Sequence, residues 1–343
     1  MKKLLNTLFV TLQGASVVKE GETVVVREEG TERLRVPVHG LGGLVTFGQV
    51  WCSPQLLFLC AERGVGVSFL SENGRFLARV AGPVSGNVLL RREQYRWADD
   101  PVRSASVARD LLVGKLANAR TVLLRACRDH GGKSGQTVLA DAATRLGDGL
   151  TRLGLEKSLD GLRGIEGEGA NVYFGAFDAL ITTQDPVMRF TTRSRRPPLD
   201  PMNCLLSFLY TLLMHDVRSA LEGVGLDPGV GFLHRDRPGR PGLALDLMEE
   251  LRPVLADRVA LSLVNLGQLR GRDFRKGESG GVLLTDEARK QVLMAYQKRK
   301  QEELMHPYLK ERLAAGLLCH IQALLLARHI RGDLDGYPAF LWK

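Results

Sequence analysis

Two hydrophobic rhythms divide the chain. Up to about residue 90, apolar residues come in short alternating runs: LLNTLFVTL (4–12), SVVKE (16–20), TVVVREE (23–29), RLRVPVHG (33–40), GLVTFG (43–48), VGVSFL (65–70) and RFLARV (75–80). The turn formers KEGE, EEGT and ENGR lie between them. Runs of this length and spacing predict an antiparallel sheet or a small sandwich. One interruption, SPQLLFLCAERG (53–64), has helical spacing and stops at Gly64, a residue type suited to the position just past a helix end. From Ser104 the period becomes 3.6, and Val107, Leu111, Leu112 and Leu116 share one face of a helix over 104–127. Further helical patterns cover 135–152, 168–184, 202–222, 243–256, 285–305 and 308–331, separated by DHGGKSG, RRPPLDP, GLDPGVG and RDRPGRPG. No fixed-period repeat occurs, which argues against a solenoid. The pattern predicts an α+β chain: a β-sandwich domain over 1–90, a linker over 91–102 (RREQYRWADDPV) and a larger all-α domain over 103–343.

Composition narrows the class. With 343 residues, 44% hydrophobic and 25% charged, the chain has the make-up of a folded soluble protein. Its longest apolar stretch, CLLSFLYTLLM (204–214), is far short of the ~20 residues that cross a bilayer. The opening MKKLLNTLFVTL imitates a secretion signal, but Asn6, Thr7 and Thr11 interrupt it and no small-residue cleavage site follows. It reads as an edge strand, and the protein as cytoplasmic. Cys52, Cys60, Cys127, Cys204 and Cys319 are odd in number and scattered, so they indicate neither a zinc site nor a disulfide framework. The net charge is +9, and 35 of the 47 basic residues are Arg. Guanidinium forks match phosphate geometry, which suits nucleic acid, although a GC-rich genome produces the same bias.

The chemistry concentrates in three segments of the helical half. No phosphate-binding G-x-x-x-x-G-K-[ST] loop, dinucleotide fingerprint or nucleophile elbow is present, so those activities lack support. In LRGIEGEGANVYF (162–174), Glu166 lies between glycines at an expected helix start, where capping alone could account for a carboxylate. Gly164 and Gly167 also permit close approach of a ligand. In GVGFLHRDRPGRPG (229–242), His234 precedes Arg235, Arg237 and Arg240, a context too basic for a core, whereas His39, His130, His215, His306, His320 and His329 read as structural. In LALDLMEELRP (243–253), helical spacing puts Asp246, Glu249 and Glu250 on one face, where like charges repel unless a cation intervenes. Carboxylates plus one imidazole suit a divalent ion that keeps open positions, with the imidazole favouring Mn²⁺ over Mg²⁺.

At these residues the chain resembles the CRISPR-associated spacer-acquisition integrase family, which serves antiviral defence. The strings that carry the resemblance are LRGIEGEGANVYF, RRPPLDPMNCLLSFLYTLL, GLDPGVGFLHRDRPGRPGLALDLMEELRP and LARHIRGDLDGYPAFLWK, and it extends over essentially the whole chain. The C-terminal YPAFLWK and the RDRPGR loop are most similar to the type I subtype C branch. The resemblance implies an N-terminal β-sandwich, a C-terminal helical catalytic domain, a homodimer, and two dimers clamping a dimer of a small second CRISPR-associated adaptation protein. It implies that Glu166, His234 and Glu249 are catalytic and hold Mg²⁺ or Mn²⁺. Asp246 lies one turn earlier than Glu249 and remains an alternative third ligand, since many relatives carry Asp at that position. The implied reaction joins a protospacer 3′-hydroxyl to the CRISPR repeat by transesterification, with nicking when water attacks. Arg235, Arg237 and Arg240 are the first candidates to grip DNA, followed by Arg270, Arg272, Arg275 and Lys276, and by Arg193, Arg195 and Arg196. The competing class is a non-catalytic basic scaffold that bends DNA for a partner nuclease, which would need no carboxylate–histidine cluster.

Overall fold

The computed structural model describes residues 6–72, 75–80, 82, 88–129, 135–278 and 280–342. Residues 4 and 5 of the first expected strand, His130 and most of the DHGGKSG loop lie outside the described residues. Eight strands come first: β1 (Asn6–Val10), β2 (Ser16–Glu20), β3 (Thr23–Glu28), β4 (Thr31–Pro37), β5 (Leu41–Phe47), β6 (Trp51–Cys52), β7 (Gly66–Leu70) and β8 (Phe76–Val80). They form two four-stranded sheets, ordered β1-β5-β7-β8 and β4-β3-β2-β6. The opening segment is the edge strand its sequence suggests. The pairing is mixed, not antiparallel throughout: β1–β5, β5–β7 and β2–β6 are parallel. The cause is helix α1 (Pro54–Glu62), which carries the chain back across the sheet so that β7 runs in the direction of β5. Ser53 caps this helix by accepting from the Leu56 N–H at 3.2 Å. Gly64 follows its end at φ +68°, as its residue type suggested.

Val17, Val24 and Val26 from one sheet share a buried cluster with Val10, Leu44 and Val67 from the other and with Leu56, Leu59 and Cys60 of α1. Alternation sends Val45, Phe47 and Leu70 to the opposite face, into the main core, where the Phe47 ring lies 5.9 Å from that of Phe208. One sheet is thus covered on both sides, which explains why the last five residues of β5 are all buried.

The expected linker is helical. Residues 91–102 fall in α2 (Val88–Asp99) and the first turn of α3 (Pro101–Asp129). The charged pattern hides an inward stripe, in which buried Gln94 donates to the Asp227 and Val230 carbonyls at 2.8 Å each. Asp100 accepts from the N–H groups of Val102 and Arg103, and Pro101 occupies the first helical position, so a new helix starts where the old one ends. There follow α4 (Gln136–Leu155), α5 (Leu159–Gly175), α6 (Pro201–Val224), α7 (Gly242–Met248), α8 (Arg258–Asn265), α9 (Asp286–Gln301) and α10 (Leu318–Ile330).

This half is not all-α. One hairpin, β9 (Phe274–Lys276) with β10 (Val282–Leu284), lies between expected helices, and a second, β11 (Glu303–His306) with β12 (Glu311–Ala314), replaces the end of the helix expected over 285–305 and the start of that expected over 308–331. The helix expected over 243–256 also breaks. It stops at Met248 and resumes as a π-helical turn, Arg252–Asp257. Pro253 has no N–H for the Glu249 carbonyl, and its ring crowds that position. Helix α5 begins at Leu159 behind the Ser158 cap, so Glu166 lies mid-helix and helix-start capping does not explain it. Two helical glycines bring α3, α4 and α5 together. A Cβ at Gly149 or Gly169 would stand 3.0 or 3.4 Å from the Leu116 side chain.

Candidate active site

Close packing of α5 on α3 puts Glu166 beside Lys115, and the break after α7 turns Glu249 toward both. Lys115 Nζ bonds Glu166 Oε1 and lies 2.8 Å from Glu249 Oε2, while Arg252 Nη1 lies 2.9 Å from Glu249 Oε1. Glu249 is buried, and burial alone would raise its pKa. Arg252 and Lys115 outweigh that effect and hold its carboxyl well below the usual carboxylate range. Its Oε2 is buried without a hydrogen bond, held only by the charge of Lys115.

His234 sits in the loop between α6 and α7, fixed by one carboxylate. Asp246 is fully buried and accepts four N–H groups. Its Oδ2 takes those of Phe232 at 2.6 Å and Leu233 at 2.9 Å. Its Oδ1 takes the backbone N–H of His234 at 3.0 Å and lies 2.5 Å from ring Nδ1. The loop approaches so closely that a Cβ at Gly231 would stand 2.7 Å from Asp246 Oδ2, so only glycine fits there. With Nδ1 engaged, Nε2 is the nitrogen left to face a ligand.

The three acidic residues of this segment do not share a face. Asp246 faces the His234 loop and Glu249 faces Lys115. Glu250 turns the other way, toward the Tyr337 hydroxyl, the Phe340 N–H at 2.8 Å and Gln322 Nε2 at 3.1 Å. Burial pushes the Glu250 carboxyl up to about 7. The same helix break that ends α7 after Met248 sends these side chains in three directions.

Among the described residues, no three His, Cys, Asp or Glu side chains stand close enough to enclose a metal ion. The expected convergence of Glu166, His234 and Glu249 is therefore not a ready-made cage, because the two glutamates meet on an ammonium. The donor set itself fits Mg²⁺ or Mn²⁺. Two carboxylates already share a cation, one buried oxygen lacks a hydrogen bond, and His234 is near enough for its charge to act on Glu249.

A small cavity of about 30 Å³ adjoins this site, lined by Lys115, Glu249, Arg252, Tyr210 and Arg195 among others. Beneath it, Tyr210 and Tyr173 donate to opposite oxygens of buried Asp257 at 2.8 and 3.0 Å. The basic candidates divide. Arg235 pairs with Asp160 at 2.9 Å, while Arg237 is exposed and Arg240 half-buried. Arg193 is turned inward, bonded to Asn203 Oδ1 at 2.6 Å and 5.4 Å from the Tyr210 ring centroid. Its place as a surface DNA contact is corrected, for it braces the turn ahead of α6. Arg195 and Arg196 are exposed, as are Arg270, Arg272, Arg275 and Lys276 at and beside β9. The Val282 N–H donates to the Pro198 carbonyl at 2.8 Å, which laces the β9–β10 hairpin to the 195–198 loop and sets both clusters on one flank. Sequence reasoning missed Lys115 and Arg252. The available signal was a lysine beside Gly114 on the apolar flank of α3.

The family described as CRISPR associated protein Cas1 matches residues 8–298. The CRISPR-associated endonuclease Cas1 1 of Chlorobaculum tepidum is 55% identical over 343 residues, covering 100% of both chains. Among solved structures, a casposase bound to integration product has 22% identity and a TM-score of 0.83, covering 99% of this chain and 94% of that one. A Cas6-RT-Cas1–Cas2 complex gives a TM-score of 0.81 at 22% identity, covering 98% of this chain and 36% of that chain. The two structures share the fold.

Proposed function

The chain belongs to the Cas1 family, and from that premise we propose that it is a metal-dependent DNA strand-transfer enzyme and endonuclease of CRISPR adaptation. The observation that carries the reading is the meeting of Glu166 and Glu249 on one cation beside an imidazole held by Asp246. Glu166, His234 and Glu249 hold Mg²⁺ or Mn²⁺. The four donors already spent on Asp246 favour Glu249 as the third ligand, with Asp246 as the group that orients His234. A divalent ion bound there supplies the Lewis acidity that activates a hydroxyl and neutralises phosphate charge.

The chain's residues do the rest. Arg252 fixes the Glu249 carboxylate, and Asp246 engages His234 Nδ1, which leaves Nε2 as the nitrogen turned to ligation. Arg237, Arg240, Arg195, Arg196 and the β9 basic residues grip the phosphate backbone. The protospacer 3′-oxygen forms a bond to the phosphorus at the 5′ edge of a repeat strand, and the bond from that phosphorus to the 3′-oxygen of the flanking DNA breaks, that oxygen leaving as a hydroxyl. One phosphodiester replaces another, so no nucleotide hydrolysis is needed, and attack by water nicks the strand. Exposed Trp51, Phe58 and Leu77 support a homodimer through the β-rich half, read as a sandwich. Family membership supports assembly with Cas2 and action in the cytoplasm. The YPAFLWK and RDRPGR strings support the type I subtype C branch.

The test is integration into a supercoiled repeat-bearing plasmid with the purified partner protein and Mn²⁺. Glu166→Gln and His234→Asn should lose strand transfer while keeping the duplex affinity that the parent shows without metal. Strand transfer retained by Glu166→Gln would replace this reading with the non-catalytic scaffold.

A further inference from the structure

Lys115 is the residue whose position the reaction above leaves unexplained. It comes from a different helix than either glutamate, is half-buried, and its ammonium bridges Glu166 and Glu249. We propose that Lys115 is the site's built-in counter-cation: it occupies the seat a divalent ion takes, and its displacement couples metal binding to DNA binding. The proposal rests on the metal-site reading above and goes beyond it.

The argument is one of charge and space. Glu166, Glu249 and Asp246 are three carboxylates, and Lys115 and Arg252 are two cations among them. Arg252 grips the outer Glu249 oxygen and does not lie between the two glutamates. Lys115 does, and the buried Glu249 Oε2 lies 2.8 Å from that ammonium. A divalent ion drawn to both glutamates must move the ammonium aside.

The group then passes from net negative to net positive, with a lysine that has lost its carboxylates. The cavity lined by Lys115 and Arg195 is where that surplus positive charge is exposed. Phosphate oxygens at the mouth of that cavity, beside exposed Arg195, neutralise it. Metal and duplex therefore favour each other, by equal factors in either order of binding. In the absence of a metal the same ammonium keeps the buried glutamate from standing uncompensated, so Lys115 is a positioning residue before it is a DNA contact.

The test is calorimetric titration of Mn²⁺ into the full-length chelator-treated protein, with and without a protospacer-length duplex. Lys115→Met removes the competitor, so Mn²⁺ alone should bind about tenfold tighter, roughly the worth of one charge-assisted hydrogen bond. The further tightening that DNA gives the parent should shrink by a similar factor. Without metal the variant should melt earlier than the parent and recover on adding Mn²⁺. If Lys115→Met fails to fold, Lys115→Gln keeps the hydrogen bond, loses the charge and should show the same changes. Unchanged or weaker Mn²⁺ affinity in a folded Lys115 variant, with affinity lost in Glu166→Gln, overturns the counter-cation role and leaves the metal site standing. Unchanged Mn²⁺ affinity in Glu166→Gln overturns both.

Discussion

Asp246→Asn isolates how much of the site depends on a single buried carboxylate. The side chain accepts four N–H groups with two oxygens, and an amide has one oxygen. If that oxygen stays with Phe232 and Leu233, the new NH₂ faces the backbone N–H of His234 and ring Nδ1. The backbone donor loses its acceptor. The ring can accept from the NH₂ only with its own proton on Nε2, the nitrogen needed for a metal. If the amide turns the other way, two backbone donors are stranded and the His234 loop loses its anchor. Each stranded buried donor costs about 1–3 kcal/mol. The substitution should therefore destabilise the protein by about 1–6 kcal/mol, a large share of the ~5–15 kcal/mol typical of a folded domain. Urea unfolding of parent and variant measures the first effect, and Mn²⁺ calorimetry with strand transfer on the folded fraction measures the second. The prediction is lost stability together with loss of metal affinity, because one group serves both. A variant that unfolds within a few tenths of a kcal/mol of the parent and still transfers strands would refute the reasoning.

Three further outcomes are expected. His215 is buried with Ser68 Oγ 2.7 Å from Nδ1 and no partner at Nε2, and burial pushes its pKa down to about 4 against the opposing charge of Asp216, with Lys300, Arg218 and Arg79 adding to the depression. The fold thus favours the neutral ring, so stability is lost as pH falls from about 6.5 toward about 4, by about 1.4 kcal/mol per unit; urea unfolding across that window should show the loss, and His215→Gln should remove it. Gly114→Ala should destabilise by about 1–2 kcal/mol, because the added Cβ would stand 2.7 Å from Glu250 Cβ, whereas Gly154→Ala, with nothing within 4 Å, should stabilise by about 0.5–1 kcal/mol; thermal melts of both test this contrast. Replacing exposed Arg237, Arg272 and Arg275 with Gln should flatten the dependence of log duplex affinity on log salt by about two to three, while Arg193→Gln should lower the melting temperature and leave that slope unchanged.

What could be read in the sequence is what depends on near neighbours. Alternation placed the strands of the first half, and Gly64 marked the end of α1, since positive-φ positions are local demands. The strand pairings needed more, for nothing near β5 says that its partners run parallel to it. Glu166, His234 and Glu249 stood out as residue types in unusual surroundings, but their relations are set by side chains far along the chain. Glu166 meets a lysine 51 positions earlier, and Asn118 ties Glu250 to Phe340, 222 positions beyond itself. The helix reading over 243–256 failed for a local reason that was present and underweighted. Pro253 removes the hydrogen bond that would have continued α7, and the break lets consecutive residues Glu249 and Glu250 face opposite sides of the core. Consecutive helical residues already leave the axis about 100° apart, and the break adds to that separation. The break gives the first to the metal-site cation and the second to the C-terminal segment, and it thereby ties the order of the active site to the docking of Tyr337 and Phe340.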